Sequence, residues 1–227
     1  MEKTIYEKNS NMNIKFHKNT FENISNERRE KIFEMAIKEF AANGYAGANI
    51  NKIAKNAKVS IGSLYSYFAS KEDLFLSIID IGCSVIAEVF ENIDTDENFY
   101  VILDRLLIET RQYAIKYPEL NQIYIDITTQ SVSKFSSIIS SKLEEKTAMK
   151  YREIIRKAKD RNEIRKDIED DVIAFYIDNL VITYQFSFAS NYYKKRMRIF
   201  LMNKNIDDNQ VRIELLKLIE NSLLSFL

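Results

Sequence analysis

Residues 57 to 74 read AKVSIGSLYSYFASKEDL. Ala57 precedes a turn at Lys58-Val59, Ser60 stands where a helix starts, and Gly62 lies in that helix's first turn. Tyr65 and Tyr67 follow at alternate positions, and Lys71 leads two acids, Glu72 and Asp73. Just upstream, Asn49 caps a short helix carrying Ile50, Ile53, Ala54 and Ala57 on one stripe. Two short helices joined by about three residues and flanked by a longer supporting helix form a helix-turn-helix. That reading decides the fold of the first third of the chain.

The residue types fit a recognition helix. Ala54 and Ala57 let the two helices approach closely, and Val59, Leu64 and Phe68 anchor the second to a core. Gly62 and Ser63 keep bulk away from an approaching backbone, and the free N–H groups of a first helical turn can meet a phosphate. Tyr65 and Tyr67 offer rings to thymine methyls and hydroxyls to phosphates.

Charge agrees in sign. The 227 residues carry 33 Lys and Arg against 33 Asp and Glu, but unevenly. Residues 1–71 hold 12 basic and 7 acidic side chains, a net of +5, and the remainder carries −5. Between Phe40 and Lys71 there is no acid, while Lys52, Lys55 and Lys58 fall there. A basic head on an acidic body suits a head that meets phosphates. Charge alone leaves a solvated lysine face equally open.

Four glycines and one proline are too few for a sheet-rich fold, so the composition reads as all-α. One cysteine, Cys83, excludes an intrachain disulfide and a cysteine-based zinc site. No signal peptide opens the chain and no run reaches a membrane span; Leu74 to Phe90 comes nearest, broken by Asp80 and Glu88. The expected location is the cytoplasm, with no membrane partner.

Periodicity predicts a first helix from a Ser25 or Asn26 cap to Gly44, with Ile32, Phe33, Ala36, Ile37 and Phe40 on one face. A fourth helix starts after Ser70, with Asp73 three residues on in a capping-box-like arrangement. Longer helices follow over roughly 71–92, 97–117, 119–131, 133–160, 169–190 and 208–226. Residues 191–202 either extend the helix before them or form a short one.

Residues 44–74, GYAGANINKIAKNAKVSIGSLYSYFASKEDL, resemble the DNA-binding signature of the TetR/AcrR family of transcriptional regulators. The matching positions are Gly44-Tyr45, Ile53-Ala54, Ala57, Val59-Ser60, Gly62, Leu64-Tyr65, Tyr67-Phe68, Lys71-Glu72 and Leu74, and the likeness covers residues 26–80. Lys58 departs from the usual turn glycine, which puts a lysine at a left-handed position. The family also favours Thr or Ser around Ala48 and Asn49. The resemblance implies double-stranded DNA as partner. It assigns the contacts to Asn51, Lys52, Ile61, Gly62, Ser63, Tyr65 and Tyr67, with Lys71 on a phosphate.

It further implies an N-terminal three-helix head joined through a linking helix to a larger helical domain for regulation and dimerisation. The expected divisions are a polar arm over 1–24, the DNA-binding domain over 25–72 and the large domain over 73–227. Val172, Phe175, Tyr176, Asn179, Leu180 and Thr183, with Ile213, Leu216, Ile219 and Leu223, form stripes suited to a homodimer interface or to completing the monomer core. A pocket for a small, largely apolar effector would draw polar handles from Arg105, Glu109, Gln112, Tyr113, Tyr124, Asp178 and Gln185, though aromatics at helical spacing also read as core. No nucleophile motif, phosphate loop or metal-ligand spacing appears, so neither an enzyme nor a cofactor or metal is expected. The alternative to a regulator is a helical dimeric scaffold without an effector.

Overall fold

The computed structural model describes residues 15–129, 135, 143–202 and 206–224. The described residues contain no strand, in line with the all-α expectation. Their helices are α1 Asn19–Glu22, α2 Asn26–Gly47, α3 Ile50–Asn56, α4 Ile61–Tyr67, α5 Lys71–Glu91, α6 Phe99–Lys116, α7 Pro118–Thr129, α8 Glu145–Asp160, α9 Asp170–Ala189, α10 Asn191–Phe200 and α11 Asp208–Leu223. Parts of the helices expected over 119–131, 133–160 and 208–226 lie outside the described residues, as do residues 1–14 of the polar arm.

Local chemistry sets the boundaries. Ser25 caps α2, its hydroxyl accepting from the Arg28 N–H. Gly44 interrupts that helix at φ 64°, ψ 172°, a conformation glycine adopts without steric cost. Pro118 opens α7, where its missing N–H would have had no helical partner. Ser190, extended at φ −92° and ψ 132°, separates α9 from α10, so residues 191–200 form a helix of their own.

The described chain forms two compact units, residues 1–88 with 122–143 and residues 89–121 with 144–227. The first holds the helix-turn-helix. Ile32, Phe33, Ala36, Ile37 and Phe40 of α2 are buried with Ile53, Ala54, Leu64, Phe68, Leu74 and Phe75. Phe75 joins Phe40 (4.8 Å between ring centroids) and Phe135 (5.0 Å) in an aromatic chain.

The second unit packs α6, α8, α9 and α11 around Leu103, Leu107, Tyr151, Ile155, Ala174, Ile177, Tyr184 and Ile219. Glu163 accepts the Phe99 N–H at 2.8 Å, satisfying one free donor at the start of α6. By length and mean hydropathy α9 alone among the described helices would pass for a membrane span, which the sequence reading had not singled out; half of that stretch is buried inside the protein. Its apolar surface divides between the core and a stripe open to solvent, where Val172, Phe175, Tyr176 and Leu180 are exposed. On α11 the expected stripe divides differently: Ile219 and Leu223 belong to the core, Leu216 packs against it, and Ile213 and Leu218 are exposed. Between the two helices runs an apolar groove of ≈ 320 Å³ lined by residues including Val172, Tyr176, Leu180 and Leu218.

Candidate nucleic-acid interface

The interface is built from α3, the turn and α4. Asn49 caps α3 by accepting from the N–H groups of Asn51 (2.9 Å) and Lys52 (3.4 Å). Lys58 carries the turn at φ 55°, the left-handed conformation expected where the family usually has glycine. Ser60 caps α4: its hydroxyl accepts the Ser63 N–H at 2.9 Å and shares a hydrogen bond with the Ser63 hydroxyl at 2.8 Å. Val59, Leu64 and Phe68 are buried, so α4 is anchored on one side only.

On the other side Ile61 is 44% exposed and Tyr65 46% exposed, with Gly62 open between them and Ser63 half-buried. A Cβ on Gly62 would meet only the Ser60 Oγ, at 3.8 Å, an ordinary contact. Nothing inside the chain therefore requires glycine there, in a helix where glycine is unfavourable. α4 contains no acid, and Asn51, Lys52, Lys55 and Lys58 are exposed on α3 and the turn.

Four of the expected contacts have internal partners, Ser63 through its hydroxyl bond to Ser60. Lys52 pairs with Glu39 at 2.8 Å, and the buried Glu39 carboxylate also accepts the Asn49 N–H at 3.2 Å. Glu39 thereby ties α2 to the start of α3. The sequence reading passed over it, though an acid among Ala36, Ile37 and Phe40 was a signal. Lys71 donates to the Ala46 carbonyl at 3.1 Å and lies over the Tyr45 ring at 5.2 Å. Tyr67 is only 7% exposed and packs against Phe21, so its ring face is not open to a base. The start of α5 differs from a full capping box: Asp73 donates its N–H to the Ser70 hydroxyl and accepts that hydroxyl's proton, both at 3.0 Å.

The residues named as effector handles have varied surroundings. Arg105 pairs with Glu97 at 2.8 Å, Glu109 and Gln112 are exposed, and the Tyr113 ring meets Tyr117 in a tilted contact at 5.4 Å. Tyr124 is half-buried on α7. The buried Gln185 amide donates to the side-chain Oδ1 of Asn121, which is itself fully buried. Burial pushes the Asp178 carboxyl up to about 7, and the nearby Glu144 charge adds to the shift. Among the described residues no group of three or more His, Cys, Asp or Glu is placed to hold a metal ion.

Residues 32–78 match the family model described as bacterial regulatory proteins, tetR family. The chain is 35% identical over 92 residues to an HTH-type transcriptional repressor, SCO4008 of Streptomyces coelicolor, a match covering 40% of this chain and 45% of the relative. It spans about half the length of the curated relatives it matches. A solved TetR-family regulator from Chloroflexus aurantiacus superposes with a TM-score of 0.66 over 92% of this chain and 99% of that one, at 20% identity. The regulator FadR of Bacillus subtilis, solved in complex with stearoyl-CoA, gives 0.62 over 84% and 96%, at 17% identity. Those two likenesses speak for the fold, and the capped α3–turn–α4 unit lies within residues 32–78, the segment that matches the tetR family of bacterial regulatory proteins.

Proposed function

We propose that this chain is a DNA-binding transcriptional regulator, working as a ligand-responsive repressor that grips a palindromic operator as a homodimer in the cytoplasm. The observation that carries the reading is the open face of α4. Ile61 and Tyr65 project from a helix whose other side is locked into the core, and the glycine between them has no internal reason to be there. Exposed apolar and aromatic groups on a capped, acid-free helix suit the floor of a major groove. Asn51, Lys52, Ile61, Gly62, Ser63, Tyr65 and Lys71 form the proposed contact set, with Tyr67 supporting α4 from beneath. Lys52 and Lys71 would exchange their internal partners for phosphates.

The exposed stripe of Val172, Phe175, Tyr176 and Leu180, with the groove beside it, is the proposed homodimer surface. Residues 25–72 then act as the DNA-binding domain and 73–227 as the domain for dimerisation and effector binding. The proposed effector is small and largely apolar; the FadR structure, which shares the fold, was solved with stearoyl-CoA, whose acyl chain supplies an apolar moiety of that kind. Selection of bound duplexes from a random pool tests the proposal. A two-fold symmetric sequence should be enriched, and a compound screen should find molecules that release it. A chain that dimerises and enriches no sequence is the scaffold instead.

A further inference from the structure

The recognition helix ends in an unusual way. α4 has only seven residues and no glycine after it, and its C-cap Phe68 is extended at φ −125° and ψ 131°. The last four carbonyls of a helix lack helical partners, and glycine-based caps commonly satisfy them. Here the Leu64 carbonyl accepts the Phe68 N–H at 2.9 Å. The remaining three are satisfied from a distant part of the chain. The Tyr65 carbonyl accepts from the Lys18 ammonium at 2.9 Å, the Ser66 carbonyl from the Thr20 hydroxyl, and the Tyr67 carbonyl from the Lys18 N–H at 2.8 Å.

The donors sit on or beside α1, inside the segment read from sequence as a polar arm. α1 is fixed by Phe21, 2% exposed, which meets Phe68 at 4.8 Å, Phe33 at 5.2 Å and Tyr67 at 5.7 Å. Two side chains just ahead of α1 close onto its Glu22: Lys15 pairs with it at 2.5 Å, and His17 approaches the same oxygen at 3.3 Å.

We infer that residues 15–24 are a strap that replaces the missing C-cap of α4 and sets the register of Tyr65 against DNA, with Lys18 and Thr20 as positioning residues. Tyr65 is 46% exposed on the expected reading face and carries a hydroxyl, and its own carbonyl is the atom the Lys18 ammonium holds. A strap that fixes this carbonyl fixes where the ring points. The effect on DNA rests on the regulator reading above, whereas the hold on α4 does not.

Two measurements on the full chain separate them. The first is amide hydrogen exchange without DNA, comparing wild type with Thr20→Val, Lys18→Met and the double variant. Exchange over residues 61–68 should quicken by about tenfold in the double variant, since each lost hydrogen bond is worth about a fewfold in an equilibrium, while α8 and α9 stay unchanged. Unchanged exchange at 61–68 overturns the strap. The second compares affinity for a selected duplex and a scrambled one across salt concentrations. Thr20→Val removes no charge, so preference for the selected duplex should fall about fivefold with the salt slope unchanged, and Thr20→Ser should restore it. Faster exchange with undiminished preference overturns the positioning role. A Lys18→Met effect confined to a salt slope smaller by about one makes Lys18 a phosphate contact and overturns its place in the strap. A wild type without any sequence preference defeats the regulator reading, and the exchange result still decides the strap.

Discussion

Gly62 separates the demands of folding from those of binding. Its Cβ position is unobstructed and its backbone is helical, so Gly62→Ala should raise stability by about 0.5–1 kcal/mol. If a DNA backbone passes close to that turn, the same methyl should weaken operator affinity by about tenfold. Thermal melts and binding isotherms on one preparation test both, and undiminished affinity removes Gly62 from the contact set. Asp178 poses a different question. Its half-buried carboxyl is pushed up to about 7 from an ordinary 3.8 by desolvation, so the folded state holds the proton more tightly than the unfolded chain does. Stability from this group is therefore complete below about pH 4, falls as pH rises toward 7, and stays low above. Asp178→Asn should be more stable than wild type at pH 8, by on the order of 2–4 kcal/mol, with the gap closing near pH 4. Denaturant midpoints across that range test it, and a constant gap contradicts it.

The turn between α3 and α4 holds Lys58 at φ 55°, a conformation that costs a non-glycine residue on the order of 1 kcal/mol. Lys58→Gly should stabilise the helix pair by somewhat less, about 0.5 kcal/mol, because glycine loses more entropy on folding; a lower melting temperature contradicts this. On α9, Phe175 and Tyr176 are each 63% exposed. Phe175→Glu with Tyr176→Glu should convert a dimer to a folded monomer, read by light scattering with unchanged helicity, whereas an unchanged mass places the interface elsewhere. Much of this element scale was legible in the sequence. Ser25, Asn49 and Ser60 each cap the helix their chemistry predicted, and period-3.6 stripes located the core of α2. α1 was hidden because a four-residue helix has no period to read, and only Phe21 marked it. The α11 stripe left interface and core both open, because period alone does not say which residues a core will claim; Ile219 and Leu223 went inward and Ile213 stays exposed. At the proposed site, Tyr67 looked like a second reading tyrosine because alternation with Tyr65 does not reveal which side of a short helix a core will claim.

At the scale of the whole molecule, a regulator couples its sites. An effector shifts DNA binding only if it prefers one state of the protein, and the coupling is reciprocal. A releasing compound that lowers operator affinity tenfold must itself bind tenfold more weakly to the operator complex; calorimetry with and without duplex tests this, and equal affinities show that the compound acts by another route. All of this depends on the claim that the open face of α4 reads sequence. The most direct measurement is the ratio of affinities for a selected duplex and its scrambled counterpart, in wild type and in Tyr65→Ala at one salt concentration. Specific recognition of this kind spans about 10³-fold or more over non-specific binding. The account predicts such a ratio for wild type, and a fall of about tenfold or more in Tyr65→Ala with affinity for the scrambled duplex nearly unchanged. A ratio near one in the wild type, or the same high ratio in both proteins, would contradict it.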